Sequence, residues 1–313
     1  MMTQLKALIK KCPSSLKHSL LKVETNIASK FVDCVDDGLE FADGISVVTI
    51  AKDEAPYIRE WVQFHRAVGV DRIYLYDNGS SDEMANQISD FIENGYVVYR
   101  WYPGSAKQYQ AYEDAVKRYK NATRWMAFID ADEYLMPCDM DMSIGDAINE
   151  VMKNAKPEVA GIAVNWRMYG SSSLEDKPAG GVVDSYLWRA SDQSGDGNDC
   201  IKTIANPRRI FKYRHAHFPT YYAGFYSINE DGERCDGAYN CTRLPVSRLR
   251  INHYFTKSKA EWRKRRSRKV ADKRFGHRRT ALEIEREFIR FDKNEVFDPI
   301  AKRRLYSIYS DEV

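Results

Sequence analysis

Four apolar runs, each stopped by turn formers or charges and separated by helical periodicity, constrain this chain's fold more than any other feature. Ile45-Ser46-Val47-Val48-Thr49-Ile50 is short, apolar and partly β-branched, as a buried strand is, and stops at Ala51-Lys52-Asp53-Glu54-Ala55-Pro56. Pro56 suits a helix start, and Ile58, Trp61, Val62, His65 and Val68 then recur at helical spacing as far as Gly69. Arg72-Ile73-Tyr74-Leu75-Tyr76 is the second run, stopped by the turn formers and N-caps of Asp77-Asn78-Gly79-Ser80-Ser81-Asp82. Met84, Ile88, Phe91 and Ile92 mark a second helix closed by Gly95; residues 96–102 are a third strand and 106–120 a third helix. This alternation predicts an α/β fold: a mostly parallel, Rossmann-like sheet flanked by helices, with right-handed crossovers.

The fourth run, Trp125 to Ile129, ends in three carboxylates, Asp130, Asp132 and Glu133. Ligands of open α/β sheets bind at the carboxyl ends of the strands. Two aspartates one residue apart on such a turn can hold a hard divalent ion that leaves positions open for phosphate. A plain polar loop after a core strand would have the same residues.

Other classes find no support. There is neither a GxGxxG nor a GxxxxGK[ST] motif, so no nicotinamide, flavin or P-loop site is indicated. The six cysteines form no CxxC pair, which argues against zinc, and with no signal peptide the expected setting is a reducing cytosol. A formal net charge of +3 demands no nucleic-acid partner.

Past residue 135 the pattern changes. A helix is expected over 143–154, strands over 159–168, 201–204, 210–211 and 249–255, and irregular segments over 171–200 and 215–239. Ser258 with Glu261, and Thr280 with Glu283, form capping boxes; the first opens a very basic helix to Lys273, the second a helix through Phe291.

Six segments in this order resemble GT-A-fold glycosyltransferases of the family 2-like and family 92-like group. They are Val48 to Glu54, Asp77 to Asp82, Phe128 to Tyr134, Asn165 to Ser171, Ile201 to Pro207 and Ile251 to Ser258. Residues 1–40 read as an N-terminal arm and 257–313 as a basic helical extension, and the resemblance implies a GT-A catalytic domain over 41–256 with donor (41–135) and acceptor (136–256) halves. It also implies a nucleotide-sugar donor such as a UDP-sugar, Mn2+ or Mg2+, and inversion at the anomeric carbon. The acceptor would be a glycan or lipid-linked saccharide of surface polysaccharide synthesis.

On that resemblance Asp130, Ala131 and Asp132 occupy the DxD position, with Asp130 and Asp132 on the metal and His253 returning to it from a late strand. Lys257 and Ser258, at a helix start, match a diphosphate contact or are only a cap. Thr49, Ala51, Lys52 and Glu54 match the nucleoside-holding loop, and Asp77 with Asn78 the uracil or ribose position, unless they serve only the turn. Lys202, flanked by apolar residues, needs an anion: donor phosphate or an internal carboxylate. Inversion needs a base, for which Asp184 ranks first among Glu175, Asp184, Asp196 and Asp199. His215, His217, Trp166, Tyr169 and the aromatics near Tyr221 are candidates for the acceptor side. The basic residues 261–279 read as a solvated face or as a contact for the inner face of a membrane or an anionic glycan. Two other classes compete. A nucleotidyltransferase would carry a Gly-rich first loop that this chain lacks, and a basic nucleic-acid-binding protein would leave the strand-end carboxylates unexplained.

Overall fold

In the computed structural model, which describes residues 14–30, 39–193, 197–238, 246–267 and 279–310, the first apolar run becomes the centre of a sheet. β1 (Asp43–Ala51) pairs in parallel with β2 (Arg72–Asp77) on one side and, on the other, with β4 (Thr123–Phe128), while β3 (Val97–Trp101) flanks β2. The crossovers carry α2 (Ile58–Ala67), α3 (Ser89–Glu93) and α4 (Gln108–Tyr119). Helices lie on both faces because β1 is apolar on both. Val47 joins Trp61, Val62 and Phe64 in one core layer, and Val48 joins Ala111, Tyr112 and Val116 in the other.

Beyond β4 the sheet is mixed. β8 (Ile201–Ala205) runs antiparallel between β4 and β6 (Val159–Met168). β13 (Leu249–His253) lies parallel to β6 and antiparallel to β5 (Glu133–Pro137). The segment 215–239, expected to be irregular, instead contains the second strand of a ribbon, β9 (Ile210–Tyr213) with β10 (Pro219–Tyr221), and adds β11 (Tyr226–Ile228) and β12 (Arg234–Cys235) to the main sheet. Strands of two to four residues are too short to show a period of two. The segment 171–200 likewise holds α6 (Val182–Ser185) and β7 (Trp188–Arg189), and β7 pairs with β14 (Val296–Phe297).

α5 (Ile144–Met152), α7 (Lys259–Ser267) and α8 (Ala281–Phe291) each begin at a serine or threonine bonded reciprocally to an acid three residues on. Residues 268–278 of the basic run lie outside the described residues. α1 (Ser14–Ser29) touches the body through Ser29 Oγ, which accepts the Ala223 N–H at 2.8 Å, and through Glu24, 3.0 Å from Arg214. Among the described residues no helix is long and apolar enough to cross a membrane.

The tail, where the sequence shows no signal, forms α9 (Ile300–Ser310), and Asp298 before it ties β7 to β13. Its Oδ2 lies 2.7 Å from Arg189 Nε and 2.8 Å from Arg250 Nη2. Burial would raise the Asp298 pKa, but the two guanidiniums outweigh it and hold the carboxyl below its ordinary value. Asp298→Ala should cost about 3–5 kcal/mol at neutral pH by leaving the nearly buried Arg250 without its carboxylate, while Arg189 keeps Asp192. A folded-state pKa below the unfolded one stabilises above the unfolded value and loses that stabilisation as pH falls through the folded one. The gap between wild type and variant in urea unfolding should therefore narrow below about pH 4; a pH-independent gap would show that the ion pairs are not its source.

Candidate active site

The chain leaves β4 at Phe128 and enters β5 at Glu133, so Asp130 and Asp132 lie on a tight turn at the carboxyl end of β4. Glu133 shapes that turn. Its N–H donates to the Asp130 carbonyl at 3.1 Å, and its carboxylate accepts the Asp130 N–H at 2.9 Å. It is fully buried, and the Trp61 indole donates to its carbonyl at 2.8 Å. Burial, with Asp130 and Asp132 nearby, pushes its pKa well up against the opposing pull of Lys202.

Lys202, from β8, is buried with its Nζ 2.9 Å from Asp130 Oδ2 and 3.5 Å from Glu133 Oε2. Burial alone would lower its pKa; Asp130 and Glu133 outweigh that and keep the ammonium charged. Lys202 is thus paired with internal carboxylates. The other Asp130 oxygen accepts from Gln108 Nε2 at 2.7 Å and Tyr112 OH at 3.4 Å.

Asp132 faces the opposite way. Its Oδ1 is 3.5 Å from His253 Nε2 and its Oδ2 is 2.9 Å from Arg265 Nη1. Burial opposes its ionisation, but His253, Arg265 and Lys257 together hold its pKa far below the carboxylate range. His253 arrives there because β13 pairs antiparallel with β5, setting His253 opposite Glu133. The Trp166 ring is 4.2 Å from that of His253 and 5.0 Å from that of His217. Trp166 Nε1, His217 Nδ1 and His253 Nδ1 are buried without hydrogen-bond partners. Burial, with Lys202 and His215, pushes His217 down to about 3, so its imidazole is neutral.

Beside Asp132 opens a cleft of about 270 Å³ whose lining includes Lys52, Glu54, Tyr57, Lys257, Glu261 and Arg265. Lys257 has a left-handed backbone (φ 51°); its Nζ is 3.4 Å from Glu54 and 4.1 Å from the Tyr57 ring centroid. Ser258 is buried and caps α7 by donating to Glu261 at 2.6 Å. The Ala51 carbonyl accepts the Asn78 N–H at 2.8 Å, joining the ends of β1 and β2. Thr49 Oγ1 and Asn78 Oδ1 are buried without partners, as atoms awaiting a ligand would be. Asp77 Oδ1 accepts the Ser80 N–H at 2.7 Å, within the turn, and Oδ2 accepts Tyr99 OH at 2.8 Å.

The family model "Glycosyltransferase family 92" matches residues 45–290. The chain belongs to glycosyltransferase family 92. Curated family 92 proteins that it resembles include one of Ricinus communis, 28% identical over 145 residues (46% of this chain, 26% of the relative). Another, of Arabidopsis thaliana, is 29% identical over 151 residues (46% and 26%), and one of Oryza sativa subsp. japonica is 25% identical over 179 (56% and 30%). The match thus spans only 26–30% of these relatives' length. A crystal structure of S. aureus TarS 1–349 is similar over 79% of this chain and 70% of that one, with 10% identity and a TM-score of 0.37, a value too low to bear on the site.

In this family 92 chain the expected metal residues come together only in part. Among the described residues no three His, Cys, Asp or Glu side chains surround one point. Asp132 and His253 lie side by side, while Asp130 is turned to Lys202. One carboxylate oxygen and one imidazole nitrogen fit a divalent ion whose shell is completed by diphosphate and water. Of the base candidates, Asp196 lies outside the described residues. Asp184 lies 3.3 Å from Lys302 and accepts from Tyr306 OH at 2.9 Å, so it is held by α9, and no described contact joins it to Asp130 or Asp132. Glu175 is exposed and lies 3.8 Å from Lys259. Sequence reasoning missed Gln108 and Arg265. Arg265 could have been found from its place four residues after Glu261, on the same helix face.

Lys202→Met should destabilise the fold by about 3–5 kcal/mol, because two carboxylates lose their shared cation. Calorimetric unfolding measures this, and a loss under about 1 kcal/mol would mean that Glu133 is simply protonated and needs no cation.

Proposed function

We propose that the chain is an inverting glycosyltransferase that moves a sugar from a nucleotide-sugar, first of all a UDP-sugar, to a hydroxyl of a glycan or lipid-linked saccharide. Family membership supports the transferase class. The observation that carries the finer reading is Asp132 beside His253 at the carboxyl end of the sheet, with a cleft lined by Lys52, Lys257 and Arg265 next to it.

Departure of a nucleoside diphosphate requires its negative charge to be neutralised. Mn2+ or Mg2+, held by Asp132 and His253, would supply Lewis-acid chemistry to the diphosphate. Lys52 and Lys257 add point charges along the same cleft. Lys202 and Gln108 hold Asp130 in one orientation at its edge. Packed against His253, Trp166 and its neighbour His217 carry the polar atoms without partners that acceptor hydroxyls would satisfy, and His217 is neutral and so can accept as well as donate.

A thermal-shift screen of nucleotide sugars with and without Mn2+ tests this reading. UDP with Mn2+ should stabilise the wild type and not Asp132→Ala; no response to any nucleoside diphosphate would sink it. In donor hydrolysis, Asp130→Asn and His253→Ala should each lose at least the roughly 10- to 100-fold that removal of an outer-shell metal partner costs. Wild-type rates in both would remove them from the site.

A further inference from the structure

Arg265 occupies Oδ2 of Asp132, the carboxylate whose Oδ1 faces His253. Its Nη1 is 2.9 Å from Asp132 Oδ2, its other terminal nitrogen donates to the Phe255 carbonyl, and its guanidinium lies 5.1 Å from the Phe255 ring and 5.5 Å from the Trp262 ring. The Asp132 side chain is 16% exposed and that of Arg265 is 36%, so the arginine is the more accessible of the pair. A second cation on the same carboxylate would lie close to it. Like charges at such a separation repel, and a divalent ion doubles the repulsion. A divalent ion held by Asp132 and His253 therefore weakens the hold of Oδ2 on Arg265, and Arg265 opposes the ion in turn.

The space open to it is the adjoining cleft. Its lining carries the cations Lys52, Lys177, Lys257, Lys264 and Arg265 against the carboxylates Asp53, Glu54 and Glu261. Glu54 is paired with Lys257, and Glu261 accepts from Tyr57 OH at 2.5 Å and Tyr186 OH at 2.6 Å. A guanidinium swung into this cleft enters a surplus of positive charge, and a diphosphate there would offer it a bidentate partner matched to its planar fork.

We propose that Arg265 is an exchangeable counter-ion: it neutralises Asp132 in the empty cleft and transfers to the donor's diphosphate when a divalent cation takes Asp132. The proposal rests on the glycosyltransferase reading above and extends it. With metal alone, Arg265 is displaced with no partner; with metal and diphosphate together it exchanges one anion for another. Cation and nucleotide then bind with positive coupling, and each raises the affinity of the other by the same factor.

The test is calorimetric titration of Mn2+ into the full chain, with and without saturating UDP, for wild type, Arg265→Gln and Arg265→Lys. In the wild type UDP should raise Mn2+ affinity by about tenfold, within the usual range of such couplings. Arg265→Gln should bind Mn2+ alone several-fold more tightly and lose most of the enhancement by UDP. Arg265→Lys, which keeps the charge and lacks the fork, should keep the weak binding of Mn2+ alone and regain only part of the coupling. A glutamine variant with wild-type values in both titrations, or with weaker binding of Mn2+ alone, overturns the counter-ion role while leaving the transferase reading intact. If the glutamine variant fails to fold, the lysine variant decides, and coupling equal to wild type overturns the proposal. A wild type that binds neither Mn2+ nor UDP removes the underlying reading as well.

Discussion

One ammonium with almost no access to water holds the carboxyl end of β4 in shape. Lys202 would cost several kcal/mol to bury alone, and so would Glu133; placed 3.5 Å apart, with Asp130 at 2.9 Å, they make each other tolerable. Strand direction brings Lys202 there. Because β8 runs antiparallel to β4, with Ala127 opposite Ile204, residues before Ile204 lie level with those after Ala127. Lys202, two residues earlier, is therefore level with the tip that leads into Asp130. A parallel strand in the same place would have carried its early residues to the far end of the sheet. Glu133 also binds the Asp130 N–H, so the shape of the turn and the balance of charge depend on the same side chains.

His253 reaches Asp132 by the same geometry in the other direction. The chain runs from the turn into β5, and β13 returns antiparallel, with His253 opposite Glu133 at the start of β5. Lys202 and His253 thus both come from strands that pair antiparallel with those next to the turn. The parallel half presents carboxyl ends and turn loops to one edge, and the antiparallel pairings bring a lysine and a histidine to that edge. α2 supports the assembly from below. Trp61 bonds the Glu133 carbonyl, and His65 accepts the Leu135 N–H at Nε2 while its Nδ1 donates to the Trp61 carbonyl. Burial pushes His65 down to about 4, which keeps it in the neutral form this pattern requires.

What the sequence made legible was local. The four parallel strands, their crossovers and the capping boxes at Ser258 and Thr280 each write their signal within a few residues: apolar runs, turn formers, an acid three positions after a hydroxyl. Asp132 with His253 was legible because a family pattern links two distant segments. Pairings set by the whole sheet were not legible. Lys202 offered two anions, and only the register of β8 selects Asp130 and Glu133. Asp77 sits in an Asp-Asn-Gly turn, and nothing local announces that its second oxygen accepts from Tyr99, 22 residues on. Asp184 occupies a promising place in the chain, yet it meets α9, an element with no signal of its own.

The basic run shows most clearly why composition cannot assign a site. Glu261 pins the start of α7 by accepting from Ser258, Tyr57 and Tyr186, which join the helix to the first-strand loop and to α6. Burial would raise its pKa, but these hydrogen bonds and Lys257 hold it down, so it stays an acceptor. Trp262 then points into α8, fully buried, with its indole donating to the Ile284 carbonyl at 2.9 Å. With one face pinned and the next buried, the rotation of the helix is set. Arg263 is left at the surface 3.1 Å from Glu285, whereas Arg265, one turn beyond Glu261, is aimed at Asp132. Two residues alike in the sequence and two positions apart thus take different parts, one on a solvated face and one in the candidate active site. What separates them is the helical phase fixed by Glu261 and Trp262.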